Sequence, residues 1–301
     1  MVKLVDIING SLLGDGSIRS QKDRYYSFKV SATDKRFAMW MKRLFHKFKL
    51  RCWLSKDNQA LFSTWFYINS CPFPEFMSLR ERWYRRESGK IIKIVPKAIE
   101  LNPITMLFWY LGDGSLVRRK NDENRIPTIV LATNCFSKND IDFLVGKLEE
   151  LGLNFYPVKY KSGFTGKDCG CCLYSKTGDG TPFRFFKFIG LECPMEIANF
   201  STGRKGIYRE EKFLEDKWPT EEDWIKILSN IKEIGPTLRK KRIALGLSQN
   251  QLSSKIGIRR ENIRGVELGK RCFRVSNFRK ILKALNINVD DLLKVLNTRN
   301  L

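Results

Sequence analysis

The stretch INGSLLGDGSI, Ile8–Ile18, is a mostly apolar run that stops abruptly at Gly-Asp-Gly-Ser, and MLFWYLGDGSL, Met106–Leu116, repeats the arrangement. Each run reads as a buried helix, with the glycine after the acid, Gly16 or Gly114, as the left-handed residue that ends it. Asp15 and Asp113 then sit at the carboxyl ends of apolar helices. The helix dipole already places about half a negative charge there, so an acid is unfavourable at that position. Two acids in matching contexts point to a shared cation. Gly10 and Gly14 leave one side of the first helix nearly bare, so a parallel partner helix can approach closely. Carboxylates brought that close share a proton or a cation. Beside phosphates, Mg²⁺ (or Mn²⁺) is the hard cation that one or two carboxylates hold together with substrate oxygens and water. A single GDGS would be read as a helix stop and nothing more; its repetition argues for a site.

Charge narrows the partner. The chain has 55 Lys and Arg against 32 Asp and Glu, a net charge of +23 over 301 residues. Such an excess attracts polyanions, nucleic acid first. No apolar run approaches the ~20 residues of a membrane span, and the start lacks the charged-apolar-small order of a signal peptide. A non-secreted protein, cytoplasmic or organellar, is expected. Its eight cysteines are scattered and expected to be reduced thiols. Cys169, Cys171 and Cys172, with Cys193, lack zinc-knuckle spacing and read as loop cysteines rather than a metal site. His46, the only histidine, reads as a surface residue.

Outward from the first motif, a basic turn at Arg19–Arg24 precedes YYSFKVSAT, Tyr25–Thr33, which alternates as a strand with one wet face. Asp34 caps a helix over Lys35–Lys49. Strands follow at Arg51–Lys56 and Leu61–Asn69, then a helix over Glu75–Tyr84 and a basic stretch Arg85–Lys97. The second motif, entered through Pro103 in its first turn, repeats the order. A basic loop Val117–Pro127 comes first, then a strand Thr128–Asn134 and a helix from Ser137 to Leu151. Strands at Asn154–Tyr160 and Cys171–Lys176 and a helix Pro182–Gly190 complete it. This is a duplicated α+β unit. Beyond Trp218 the composition turns to short helices, Leu238–Leu245, Ser248–Ile256, Arg259–Leu268, Phe278–Leu285 and Val289–Leu296. Two of them are joined by a tight turn at Gly257, as in a helix-turn-helix.

GSLLGDGSI and LFWYLGDGSL resemble the two motifs of a single-chain LAGLIDADG homing endonuclease. The resemblance covers roughly residues 1–217 and extends to FKVSATDKRF, RERWYRRESGKIIKIVPKAIELNPITMLFWYLGDGS and IVLATNCFSKNDIDFLV. It implies a pseudo-twofold pair of αββαββα halves with antiparallel saddle sheets over duplex DNA, and cleavage of DNA at a long site with divalent metal. It further implies metal ligation by Asp15 and Asp113, with the carbonyls of Gly14 and Gly112 assisting. Lys93 matches the family's active-site lysine, where a cation steadies phosphate charge or attacking water. The equivalent position in the second half is Asn199, which implies an asymmetric site. Lys29 and Asn134 stand where the family has polar strand residues near the scissile phosphates.

RKKRIALGLSQNQLSSKIGIRRENIRGVELGKR, residues 239–271, resembles a phage-repressor-type helix-turn-helix. That match implies an all-α DNA-binding domain in which Gln249 contacts phosphate and Arg259, Arg260, Asn262 and Arg264 face the groove. The expected organisation is 1–101 and 102–217 as the two half-domains, 218–233 as a connector helix and 234–301 as the helix-turn-helix domain. The reading is a monomeric Mg²⁺-dependent homing endonuclease of double-stranded DNA, with the added domain raising the effective concentration at flanking contacts. The termini show no self-splicing features, so an intron or a free-standing gene is the expected source. Two alternatives keep the fold: a catalytically silent transcription regulator, and a maturase whose partner is intron RNA. If six or more phosphates are neutralised, duplex binding should weaken by ~10³ or more between 50 and 200 mM salt. Fluorescence anisotropy across that range checks it, and a flat response would exclude this contact mode.

Overall fold

Helix α1 (Leu4–Leu13) and helix α4 (Pro103–Asp113) run side by side and parallel. Near their amino ends the Thr105 hydroxyl donates to the Asp6 carbonyl at 3.4 Å. At their carboxyl ends a Cβ on Gly14 would stand 3.3 Å from the Asp113 nitrogen, and one on Gly112 3.3 Å from the Asp15 nitrogen. Midway, a Cβ on Gly10 would lie 2.3 Å from the Thr105 carbonyl oxygen. The bare side read from Gly10 and Gly14 is therefore where the two backbones meet. The computed structural model describes residues 2–21, 25–32, 34–57, 65–119, 122–161, 168–194 and 217–297. Asn199 and the start of the strand expected from Leu61 lie outside them, as does the Cys169 side chain.

After α1 the order is β1 (Gly16–Gln21), β2 (Tyr25–Ala32), α2 (Lys35–Lys47), β3 (Cys52–Asp57), β4 (Trp65–Ser70) and α3 (Glu75–Trp83). After α4 it is β7 (Gly114–Val117), β8 (Thr128–Ala132), α5 (Lys138–Glu150), β9 (Phe155–Lys161), β10 (Asp168–Ser175) and α6 (Thr181–Ile189). Both halves thus read αββαββα. Their four-stranded sheets have one plan, β1-β2-β4-β3 and β7-β8-β10-β9. Between the halves sits a separate hairpin, β5 (Tyr84–Glu87) and β6 (Lys90–Lys93). The expected cap at Asp34 holds, accepting from Arg36 N at 2.7 Å; Ser137 caps α5 by accepting from Asp140 N at 3.2 Å, and Asn102, not foreseen, seats Pro103 by accepting from Thr105 N at 2.9 Å. In the first half Phe28 packs against Phe45 and Phe76, at 5.7 and 6.1 Å between ring centroids. Trp40 of α2 stacks on Phe108 of α4 at 5.6 Å.

Four expectations change. Gly16 and Gly114 are not left-handed; neither is among the positive-φ residues, and Gly114 is extended at φ −84°, ψ 153°. Glycine is needed there for room, since a Cβ on Gly114 would meet the Tyr110 ring at 2.1 Å and one on Gly16 the Ser11 carbonyl oxygen at 2.6 Å. The chain passes directly from motif to strand, so β1 includes the start of the expected basic turn, and β7 the start of the expected loop. Cross-strand pairing of Gly16 with Val30 and Ile18 with Phe28 recruits these short segments, which carry too few residues for periodicity to show. The basic stretch after Trp83 folds as the β5–β6 hairpin. Finally, β8 ends at Ala132, placing Asn134 in a turn instead of on a strand.

The C-terminal helices are α7 (Glu221–Ser229), α8 (Gly235–Ala244), α9 (Gln249–Ile256), α10 (Arg260–Glu267), α11 (Val275–Ala284) and α12 (Val289–Asn297). Packing groups Met1–Ser115, Val130–Tyr174 and Glu192–Trp218 as one compact unit, and Leu116–Ile129, Ser175–Leu191 and Pro219–Leu301 as a second. Among the described residues no helix is long and apolar enough to cross a membrane. Two glycines test the packing argument. Gly10→Ala should destabilise the protein by about 1–3 kcal/mol through overpacking. Gly146→Ala, in α5 with nothing within 4 Å of the added Cβ, should stabilise it by about 0.5–1 kcal/mol. Urea unfolding followed by circular dichroism checks both, and a harmless Gly10→Ala would refute the backbone contact.

Candidate metal and nucleic-acid site

The parallel helices deliver Asp15 and Asp113 to one end of the first unit, their carboxyl groups within hydrogen-bonding reach of each other. Burial raises the Asp113 pKa to about 7, helped by the Asp15 charge and opposed by Lys93 and Lys217. Asp15 is raised as well, again by burial first. Near neutral pH without metal the pair is therefore only part-ionised, with a proton shared between the two carboxyls part of the time. Among the described residues no three His, Cys, Asp or Glu side chains cluster as a metal site. Mg²⁺ does not require three, because it keeps several waters and takes substrate oxygens. Two adjacent, reluctantly ionised carboxylates suit it.

Two lysines frame the acids. Lys93 donates from Nζ to the Gly14 carbonyl at 3.1 Å and the Gly16 carbonyl at 2.9 Å. Lys217 donates to the carbonyls of Tyr110, Leu111 and Gly112 at 3.1, 2.7 and 3.0 Å. Each lysine thus binds the end of one motif helix, where the dipole favours a cation. Each also covers one carbonyl expected to assist the metal, leaving Gly14 and Gly112 one lone pair apiece. The two differ in their remaining capacity. An ammonium has three donors. Lys217 gives three to carbonyls, while Lys93 gives two and lies 5.7 Å from the Phe136 ring centroid, so a third donor remains beyond its carbonyl bonds. Burial lowers the Lys217 pKa to about 8, opposed by Asp113 and then Asp15, and lowers Lys93 too. The sequence pointed to Asn199 for the second half; Lys217 was missed. Its signal is slight, a lysine beside Trp218. The Tyr110 hydroxyl donates to the Lys217 carbonyl, and Trp218 packs edge-on against the Tyr110 ring at 5.6 Å.

Register sorts the first sheet into two faces. Phe28, Val30 and Ile68 are buried on one. On the other, Lys29 stands between Ser17 and Asn69, with its Nζ 3.4 Å from the centroid of the Tyr67 ring. Trp53, paired with Asn69, and Tyr25 share that face and are 48% and 60% exposed. A polar face with exposed aromatic rings and cations suits nucleic acid. The Ser31 hydroxyl reaches the Asp15 carbonyl at 3.5 Å, joining this face to the acids. Asn134 is exposed in its turn, where its amide oxygen accepts from the Cys172 thiol at 3.3 Å. His46 is exposed on α2. Cys171, Cys172 and Cys193 form no disulfide among the described residues.

In the second unit Gly257 adopts φ 68° and turns α9 into α10. Arg242 and Glu267 form a buried two-point ion pair at 2.6 and 2.9 Å, and the Gln249 amide donates to Glu267 at 2.8 Å. Gln249, expected on phosphate, thus also braces the helix pair. Arg259, Arg260 and Arg264 are exposed. The Asn262 oxygen accepts from Arg271 at 3.2 Å.

The Asp113 shift has a thermodynamic consequence. The unfolded carboxyl releases its proton near 3.8 and the native one near 7. Between those values the native state binds more protons, so stability falls as pH rises through that window. Lys217, lowered from 10.5 to about 8, acts in the opposite sense and only above about pH 8. The melting temperature of the metal-free protein should therefore drop between about pH 5 and 7.5, and Asp113→Asn should remove most of the drop. Calorimetry showing the same pH slope in both proteins would contradict the shared proton.

Comparison with known proteins agrees with this geometry. The sequence profile described as the LAGLIDADG DNA endonuclease family matches residues 5–166, and a helix-turn-helix profile matches residues 238–292. An uncharacterized protein of Methanocaldococcus jannaschii is 29% identical over 157 residues, 49% of this chain and 56% of that protein. The chain thus spans about half the length of this curated relative. Among solved structures, the homing endonuclease I-WcaI bound to its DNA recognition sequence is similar at 16% identity, over 68% of this chain and 89% of that one, with a TM-score of 0.52. Full-length DUF199/WhiA from Thermatoga maritima is 13% identical, over 95% and 93% of the two chains, with a TM-score of 0.41. With more than half its length matched by the family profile, and with the paired αββαββα halves in place, the chain belongs to the LAGLIDADG DNA endonuclease family.

Proposed function

We propose that the protein is a site-specific endonuclease that hydrolyses phosphodiester bonds of double-stranded DNA with Mg²⁺ or Mn²⁺. The observation that carries this reading is the pair Asp15 and Asp113, buried together at the ends of two parallel helices and flanked by Lys93 and Lys217. Asp15 and Asp113 hold the cation, with the carbonyls of Gly14 and Gly112 adjacent. Bound there, the metal supplies a water of lowered pKa and charge stabilisation for the leaving oxygen. Lys93 presents its remaining donor toward the scissile phosphate. Lys217 supports the ionised state of the acids through charge and fixes the end of α4. The wet face of the first sheet reads the duplex, with Lys29 near the cut. Asn134 takes the corresponding place from its turn in the second half. The helix-turn-helix, through Arg259, Arg260, Asn262 and Arg264 with Gln249 near phosphate, contacts DNA beside the main site.

The two lysines make the halves unequal in a definite way. Lys93 is equipped to touch substrate, whereas Lys217 is committed to the fold. Unequal cleavage of the two strands follows from that difference. Incubation of a randomised duplex library with Mg²⁺, followed by sequencing of the cut ends, tests the activity and finds the site. Asp15→Asn or Asp113→Asn should abolish cleavage and leave binding intact. Lys93→Met should slow cleavage ~10²–10³-fold, the usual loss for one charge-stabilising donor, when assayed well below its melting temperature, which the lost bonds to the Gly14 and Gly16 carbonyls also lower. Lys217→Met should lower the melting temperature as well, because it takes a buried ammonium from the carbonyls of Tyr110, Leu111 and Gly112. Undiminished cleavage by both aspartate variants would sink the metal-site assignment.

A further inference from the structure

The β5–β6 hairpin forms a two-stranded sheet of its own and joins neither four-stranded sheet. A lone two-stranded hairpin is marginal in water, and this one is fastened at its root. The Tyr84 oxygen accepts from Ile18 N at 3.0 Å, and Lys93 binds the carbonyls of Gly14 and Gly16. Its register pairs Tyr84 with Lys93 and Arg86 with Ile91, so these four side chains share one face. The turn is tight, with Ser88 at φ 48° and Gly89 at φ 77°, the two left-handed residues of a type I′ turn. Beyond the root the arm is exposed and basic. Arg85, Arg86 and Lys90 are all exposed, and Arg85 is neutralised by Glu87 at 2.6 Å. Ile91 is 55% exposed on the face of Arg86, while Arg85, Glu87 and Lys90 lie on the other. Folding gives this side chain little cover, and a polyanion lying along the arm would supply it together with counter-charge for Arg86 and Lys90.

We infer that the hairpin is a separate DNA-contact arm of the proposed active site. Arg86 lies on a phosphate beside the one presented to Asp15 and Asp113, Ile91 on the same face packs against the adjoining sugars or base edges, and Lys90 reaches a phosphate from the opposite face of the arm. The inference rests on the endonuclease reading for the position of the scissile phosphate. Geometry supports the placement. Ile91 is two strand residues out from Lys93 on the same face, about 6–7 Å further along, so the arm reaches past the acids onto neighbouring nucleotides. Apolar side chains set among cations make such contacts where a protein presses on the inside of a duplex groove. Anchored at Lys93, the arm ties backbone docking to the lysine that faces the reacting phosphate.

The test uses the full chain and duplexes retained from a randomised library without metal, so binding is scored independently of cleavage. Anisotropy across salt concentrations is compared for the wild type, Arg86→Gln/Lys90→Gln, and Lys42→Gln/Lys47→Gln. The last pair makes the same charge change on exposed positions of α2, which packs on the buried face of the first sheet. With two fewer phosphates neutralised, the slope of log affinity against log salt should become shallower by about 2 in the arm variant and stay unchanged in the control. Ile91→Ser should weaken binding several-fold with the slope intact, which a general loss of charge would not do. An arm variant with the wild-type slope, or one no different from the control, overturns the inference while leaving the endonuclease reading standing. A wild type that retains no duplex overturns both.

Discussion

Everything in the first unit depends on one close contact, the glycine-mediated packing of α1 against α4. Backbone approach leaves no room for a Cβ at Gly10 and only tight room at Gly14 and Gly112, so larger residues there would push the helices apart. That closeness turns two ordinary helix ends into a shared site, because carboxyls a side chain's width further apart would each be solvated and independent. Gly16 and Gly114 serve the same end by letting the chain leave each helix directly into a strand. The strands then place their wet faces level with the acids, as the contact between Ser31 and the Asp15 carbonyl shows.

The acids cannot be buried together without compensation, and the compensation comes from far along the chain. Lys93 and Lys217 neutralise the helix ends and the carboxylates at once. Each is held against deprotonation by the charges it faces while burial pulls it the other way. Such a cluster is poised rather than comfortable: it holds a proton that a divalent cation would displace. The unequal donor capacity of the two lysines is a property of carbonyl geometry. The last turn of α4 offers Lys217 three acceptors, whereas the turn after α1 offers Lys93 two.

The second unit solves a different problem. A helix-turn-helix exposes its reading helix, so the small core beneath must be locked by other means. The buried Arg242–Glu267 pair, extended by Gln249 and by the Arg242 bond to the Leu247 carbonyl, does this. Breaking one partner of such a pair leaves a buried charge without an opposite, which is costly. Helix α7 adds to the lock within the same unit, where Asp223 pairs with Arg118 at 2.7 Å and Glu222 with Arg279.

Local rules in the sequence determined the duplicated order of elements, the caps at Asp34, Ser137 and Ser248, the parallel motif helices and the two acids. Each of these depends on neighbours a few residues away or on a motif seen twice. Other features were decided only by tertiary structure. The strands β1 and β7 are too short to show a period and exist because partner strands pair with them. The hairpin was legible as basic residues but not as an arm, since nothing local says that Tyr84 and Lys93 will anchor it. Lys217 was invisible for the same reason: its role is set by three carbonyls more than a hundred residues earlier. The opening motif, read as a helix stop ended by a left-handed glycine, is instead a crossing where glycine makes room. The acid and its partner could be read from the repeated motif and Lys93 from the resemblance, but the shared proton and Lys217 depended on which backbones came together.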